Sequence, residues 1–311
     1  MRFIELFAGI GGFRYGLEAV QNTGYQTTHR QETTERISGM VSDTKCDTIQ
    51  RTLFSCVWAN EIDKYACQIY RKNYGEGELY EGDITTVNTN DIPDHDILVG
   101  GFPCQAFSIA GKRAGFGDTR GTLFFEIARI LDHHRPKCVL LENVKGLLSH
   151  DSGKTFQTIL KVLADIGYRV EWQVLNSKDF GVPQNRERVF IIGHLGKRSR
   201  GQIFPIGNQN EKSCVEVGSI KAISGHDILK RCYSTDGLSP VLNTCGGGNT
   251  EGKFLVEDLK IRRLTPTECE RLQGFPDGWT EGISDSQRYK CLGNAVTTNV
   301  IQAIGEKLCQ A

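Results

Sequence analysis

The sequence predicts an α/β fold: a doubly wound, mostly parallel seven-stranded sheet of the Rossmann-like kind, with a smaller, irregular and mainly β unit after it. Three observations carry this expectation. Short apolar runs alternate with helical stretches through the first two thirds of the chain, which calls for parallel strands joined by helices. A glycine cluster, Gly9, Gly11 and Gly12, separates the first apolar run from the first helix. From about Gly196 to Lys260 the alternation gives way to polar and glycine-rich pieces, including CGGGNTEG at Cys245 to Gly252. A chain of 311 residues has room for one sheet domain and a smaller companion.

Taken in order, the first strand is expected at Phe3 to Phe7, ahead of an amphipathic helix through Leu17 and Val20. Between them the glycines permit close backbone approach, and the first amides of the helix are free to receive a polar, nucleotide-type ligand. The second strand, Ser55 to Ala59, leads to Glu61, placed to accept hydrogen bonds from ligand hydroxyls. Glu61 and Asp63 could equally cap the helix DKYACQIYRKNY. A third strand near Leu79 and Tyr80 ends in GDI and puts Asp83 at the same edge. The fourth, Asp96 to Val99, precedes Gly100 and Gly101, which are expected to turn the chain out of the sheet. Cys104 then lies on a loop beyond the carboxyl end, where open α/β sheets bind ligands.

The fifth strand, Cys138 to Leu141, is fully apolar and stops abruptly in Glu142 and Asn143. A carboxylate there is expensive to bury, and in a low-dielectric pocket its pKa rises until it can act as an acid. Strands at Val170 to Leu175 and Val189 to Ile192 have no helix between them and should form an antiparallel edge. Arg186 and Arg188 occupy alternate positions and so face one side, as a pair of planar cationic donors or as salt-bridge partners of Glu187 or another acid. Gly293 and Asn294 are expected to open a closing helix, NAVTTNVIQAIGEKL.

Net charge is zero, 37 basic against 37 acidic residues, so a polyanionic partner would have to be held by local charge. Lys112, Arg113 and Arg120 form one such group, and Arg186, Arg188, Lys197, Arg198 and Arg200 another. No apolar run is long enough to span a membrane, and the start MRFIELFAGIGG lacks a charged leader, which leads us to expect a cytoplasmic protein with reduced cysteines. Neither CxxC nor HExxH occurs, so no metal site is expected. The polar run Gln26 to Arg51 reads as a surface insertion.

The segments LFAGIGGFR, WANEID, EGDI, GGFPCQAFS, LLENVKGLL, VPQNRERVFIIG, RRLTPTECERLQGFPDGW and YKCLGNAV, in that order, resemble the motif series of the cytosine-5 DNA methyltransferases of the bacterial and phage restriction-modification type. The match runs from end to end. The resemblance implies a methyltransferase fold dependent on S-adenosylmethionine, with a catalytic domain at 1–196 that carries the 26–51 insertion. It implies a target-recognition domain at 197–275 and a hinge and C-terminal helix at 276–311 that return to the first domain. Phe7 would stack on the adenine of S-adenosylmethionine, Gly9 and Gly11 would cradle it, Glu61 would bind ribose and Asp83 the adenine amino group. Asn294 and Val296 would close the donor pocket. Cys104 would be the nucleophile, Glu142 would hold ring nitrogen N3, Arg188 the base carbonyl, and Arg186 would support the catalytic loop. Phe102 and Pro103 would shape the pocket under a flipped base, and Gln105 and Ser108 would touch the DNA backbone. Double-stranded DNA is the implied partner, with a cognate restriction endonuclease acting on the same sequence without a stable complex, and the protein is expected to be a monomer.

The chemistry of cytosine agrees with these assignments. Carbon 5 is a poor nucleophile until a thiolate adds at carbon 6, and a free thiol with a pKa of ~8.5 needs a pocket that favours its ionised form. Two departures stand out: the 26–51 run exceeds the family's usual turn, and Pro240-Val241-Leu242 stands where recognition domains often carry Thr-Leu. Two other readings stay open: the same chemistry on transfer RNA, and a nucleotide-binding regulatory module without catalysis.

Overall fold

The computed structural model describes residues 1–20, 53–103, 123–196, 201–206, 216–219, 231–234, 238–242, 253–256 and 260–310. β1 (Arg2–Leu6) lies in the middle of a seven-stranded sheet, and its last four residues are buried. β2 (Ser55–Glu61) and β3 (Leu79–Glu81) extend the sheet on one side. On the other side come β4 (Ile97–Gly101), β5 (Cys138–Val144), β7 (Glu187–Leu195) and finally β6 (Tyr168–Asn176), giving the order β3-β2-β1-β4-β5-β7-β6. The first five strands pair in parallel, whereas β7 runs antiparallel to both β5 and β6. Only β7 is reversed, and the edge strand β6 points the same way as the parallel set.

Helices cover both faces. Phe3 points to a core shared with Leu17 of α1 (Gly12–Glu18) and with Ile301 and Ile304 of α7 (Thr298–Gln310). Ile4 and Leu6 point the other way, to Ile127 and Leu131 of α3 (Leu123–His134) and Ile159 and Leu163 of α4 (Lys154–Ile166). This alternation follows from the two-residue side-chain period of a strand buried on both faces. α7 approaches α1 closely, because a Cβ at Gly16 would stand 2.6 Å from the Thr298 carbonyl oxygen. α2 (Lys64–Tyr74) follows β2. A second sheet, in the order β11-β10-β9-β8, comprises β8 (Glu216–Ser219), β9 (Arg231–Ser234), β10 (Lys253–Val256) and β11 (Lys260–Arg263).

Three sequence expectations change. Gly100 and Gly101 do not leave the sheet: they are the last residues of β4, paired with Leu141 and Glu142. Glycine is needed at position 100 because a Cβ would fall 2.9 Å from the Leu6 carbonyl oxygen. β5 does not stop at Leu141 but runs to Val144, since β7 supplies partners for Glu142, Asn143 and Val144. Gly293 and Asn294 close a helix instead of opening one. They end α6 (Asp285–Asn294), after which Ala295 is extended and α7 starts at Thr298.

Candidate active site

In the main sheet the chain moves from β1 outward to β2 and β3, then returns to the far side of β1 as β4. The carboxyl ends of β1 and β4 therefore diverge, which is where open α/β sheets form ligand crevices. A cleft of about 1090 Å³, open mouth included, lies there. One wall is built by Phe7, Gly9, Glu61, Ile62 and Asp63, and another by Phe102, Pro103, Glu142, Arg186 and Arg188; Lys290, Cys291, Gly293 and Asn294 of α6 also face it.

The first wall starts with strained backbone. Phe7 follows β1 at φ 54°, a left-handed conformation costly for a side-chain-bearing residue. Gly9 repeats it at φ 56°, and no atom lies within 4 Å of where its Cβ would be, so the cleft opens directly above the main chain. Its N–H donates to Glu61 Oε2 at 2.7 Å, while Glu61 Oε1 accepts from the N–H groups of Ile62 and Asp63 at 2.8 Å each. Glu61 thus ties the end of β2 to the glycine loop. Capping of α2 falls to Asp63, whose Oδ1 accepts from Tyr65 N at 2.9 Å and Ala66 N at 3.2 Å.

The second wall centres on Glu142. Its Oε1 lies 3.0 Å from Arg188 Nε, with both side chains mostly buried. Burial pushes the Glu142 carboxyl above the ordinary carboxylate range, although the charges of Arg188 and Arg186 pull it back. Opposite, a Cβ on Gly101 would come within 3.3 Å of Glu142 Oε2, so the bare glycine leaves that oxygen its space. Arg186 is buried and directed at the protein: its guanidinium donates to the carbonyls of Leu242 (3.3 Å), Gly293 (3.2 Å) and Ala295 (2.8 Å). Burial lowers its pKa to about 9. Those contacts hold the end of α6 open, helped by Gln273, whose Nε2 donates to the Leu292 carbonyl at 2.7 Å. Of the alternative salt bridges, to Glu187 or to another acid, Arg188 makes the second, with Glu142; the Glu187 carboxylate takes Lys145 at 2.9 Å, and Arg188 reaches only the Glu187 carbonyl, at 2.8 Å.

Some expected site residues lie elsewhere. Gly11 (φ 81°) precedes α1 and packs under Tyr74, whose ring a Cβ would strike at 2.4 Å. Asp83 spends an oxygen capping a short 3₁₀ turn, accepting from Thr85 N at 2.9 Å, and is exposed outside the cleft lining. Val296 is buried against Gly12. Asn294 is exposed within the cleft. Cys104, Gln105, Ser108, Lys112, Arg113, Arg120, Lys197, Arg198, Arg200 and the 26–51 insertion fall outside the described residues.

Other residues line or support the site without having been assigned a role in it. Buried Asn143 donates from Nδ2 to the Phe102 carbonyl at 2.8 Å, which fixes the backbone just before Pro103 and Cys104. Ile62 is 66% exposed, an apolar side chain held in the cleft. Glu5 is fully buried behind the glycine loop, where its Oε1 accepts from Phe13 N at 3.1 Å. An acidic residue inside the apolar run RFIEL was the available signal. Among the described residues, no group of three or more His, Cys, Asp or Glu side chains could hold a metal, and no helix is long and apolar enough to cross a membrane.

A doubly wound sheet with its ligand cleft at this switch point is a Rossmann-like α/β fold. Solved structures with the same fold include the Schizosaccharomyces pombe Dnmt2 methyltransferase (TM-score 0.69, 21% identity, 97% of this chain and 96% of that one). The methyltransferase EhMeth of Entamoeba histolytica is another (TM-score 0.66, 20% identity, 99% and 97%). Within that fold class the chain matches the C-5 cytosine-specific DNA methylase family over residues 1–230 and 197–310. It is 40% identical to the Type II methyltransferase M.NlaX of Neisseria lactamica, over 99% of this chain and 96% of the relative. Identity to M.HhaI of Haemophilus parahaemolyticus is 37% (98% and 93%) and to M1.ScrFI of Lactococcus lactis 39% (99% and 78%). The chain belongs to the C-5 cytosine-specific DNA methylase family and is a DNA (cytosine-5)-methyltransferase.

Proposed function

We propose that this chain methylates carbon 5 of a cytosine flipped out of a specific duplex DNA sequence, as the modifying half of a Type II restriction-modification system, with S-adenosylmethionine as donor. The observation that carries the reading is the buried Glu142–Arg188 pair, 3.0 Å apart, in the same cleft as the glycine loop. A carboxyl pushed upward by burial can present a proton to ring nitrogen N3, and a guanidinium beside it can bind the adjoining base carbonyl.

The first wall suits the donor: bare main chain at Gly9, the apolar face of Ile62, the ring of Phe7, and the Glu61 carboxylate for ribose hydroxyls. When bound, S-adenosylmethionine supplies an electrophilic methyl group on a sulfonium. The protein's own residues supply the rest. Cys104 adds as thiolate to carbon 6 while Glu142 delivers a proton to N3, so addition yields a neutral enamine whose carbon 5 is nucleophilic. After methylation, loss of the carbon 5 proton to a base expels Cys104 as thiolate, and return of the N3 proton to Glu142 restores the neutral ring. Asn143 holds the main chain at Phe102, two residues before Cys104, and Arg186 braces the wall formed by Gly293 and Ala295. Flipping the target costs a few kcal/mol, which contacts in the cleft must offset. We assign catalysis to 1–196, target reading to 197–275 and closure to 276–311; segment 238–242 docks on the main domain, with Ser239 N donating to the Pro183 carbonyl at 2.8 Å.

DNA containing 5-fluorocytosine tests the mechanism, since fluorine blocks loss of the carbon 5 proton. The wild-type protein with donor should form a covalent adduct on denaturing gels. Cys104→Ser should form none and transfer no methyl group while still binding donor. Full activity in that variant would overturn the mechanism.

A further inference from the structure

An ion pair joins the turn after Glu61 to α6 at the cleft, beside the apolar packing of Ala66 and Cys291. Lys290 Nζ lies 2.6 Å from Asp63 Oδ2, joining residues 227 positions apart. Both side chains line the cleft, and Lys290 is half-exposed, so the pair sits at its solvent edge. Asp63 faces two ways: Oδ1 caps α2 and Oδ2 takes the lysine. It also follows Glu61 and Ile62 directly, while Lys290 precedes Cys291, Gly293 and Asn294, which face the same cleft. Other contacts already fasten the closing segment to α2 and the glycine loop, among them Trp279 Nε1 to the Ile10 carbonyl at 3.1 Å and Asn73 Nδ2 to the Trp279 carbonyl at 3.1 Å. Those lie outside the cleft lining. The ion pair is therefore not needed to hold the segment on.

We propose that Asp63 and Lys290 form a latch across the mouth of the donor cleft, and that they are positioning residues that set how fast the donor and its demethylated product leave. This rests on the reading that the cleft holds S-adenosylmethionine. Opening the latch should leave the chemical step intact, because neither residue reaches the Glu142 wall. The pair is partly solvated, so its influence should be modest and weakened by salt.

Asp63→Asn keeps an oxygen to cap α2 but loses the charge, and Lys290→Met keeps the length of the side chain. In stopped-flow measurements with S-adenosylmethionine and S-adenosylhomocysteine, either variant should release both ligands about 2- to 5-fold faster. KM for the donor should rise by a similar factor, with the single-turnover rate constant for methyl transfer unchanged. The double variant should release no faster than either single one, as expected when one interaction has been removed twice. Lys290→Arg should keep wild-type release, and added salt should speed release from the wild type and Lys290→Arg but not from Asp63→Asn or Lys290→Met. Release rates unchanged in both single variants would overturn the latch. So would loss of donor binding by 100-fold or more in Lys290→Met, which would make the lysine a direct ligand contact. Failure of the wild type itself to bind S-adenosylmethionine would instead overturn the reading of the cleft.

Discussion

Glu61 and Glu142 stand near the carboxyl ends of two parallel strands at one edge of one sheet, yet their surroundings differ. Three main-chain N–H groups, from Gly9, Ile62 and Asp63, converge on Glu61. Glu142 meets a guanidinium and, among the described residues, no main-chain donor, in a place where burial pushes its pKa up. A carboxylate gripped by amides acts as a strut that holds two loops in register. One buried against a single cation keeps an oxygen available to exchange a proton. The residue type is the same, and the environment decides the task.

The largest effect should come from the second glutamate. Glu142→Gln preserves shape but has no proton to give, so we expect kcat to fall by about 10²-fold or more with donor KM little changed. The pH profile sharpens the test. Because the folded-state pKa is raised, the protonated carboxyl persists to higher pH than for an ordinary glutamate, and kcat/KM in the wild type should fall only as pH climbs through that raised value. Glu142→Gln should lose this basic limb. A variant of wild-type rate would reduce Glu142 to a structural ion-pair partner.

For the first glutamate the prediction inverts. In Glu61→Gln the remaining carbonyl oxygen can serve Ile62 and Asp63, but the new amide group faces the Gly9 N–H, donor against donor. A misplaced glycine loop should raise donor KM by about 10-fold while kcat at saturating donor stays near the wild-type value. A collapse of kcat with KM intact would erase the distinction between strut and tool.

The sequence made the layout of the main sheet legible, because parallel strands buried on both faces leave apolar runs at regular intervals. It also indicated that Glu142 and Arg188 belong to one site. Their direct pairing was not readable, since it depends on β7 inserting beside β5, a long-range registration no local pattern encodes. For the same reason Gly100 and Gly101 read as a turn, although they are narrow strand positions beside Leu6 and Glu142. α6 escaped notice because its sequence, DSQRYKCLGN, has a weak apolar stripe and is held by partners far along the chain, Arg186 and Gln273. Asp83 adds a contact that no motif announced: one of its oxygens caps the turn that follows β3.

A third glutamate extends the comparison and gives the smallest effect at neutral pH. Glu5, fully buried on β1, accepts from Phe13 N at 3.1 Å and Arg14 N at 3.4 Å, and Tyr70 Oη donates to it at 3.4 Å. It therefore has the amides of a strut and the burial of a tool. Burial prevails over the amides and the Arg14 charge, and raises its pKa from 4.5 to about 8. A folded-state value above the unfolded one means that the native protein binds this proton more tightly. The resulting stability is fully present below about pH 4.5 and is lost progressively as pH rises to about 8. Glu5→Gln imitates the protonated form, with its oxygen to the amides and its NH₂ to Tyr70, and cannot titrate. Urea midpoints for the two proteins from about pH 6 to about pH 9 should therefore diverge, the wild type losing ground to the variant as pH increases. Methyl transfer at neutral pH should differ little, since Glu5 is outside the cleft lining. If the two stability curves stay parallel across that range, the amides and Arg14 keep Glu5 ionised throughout, and it belongs with Glu61 as a strut.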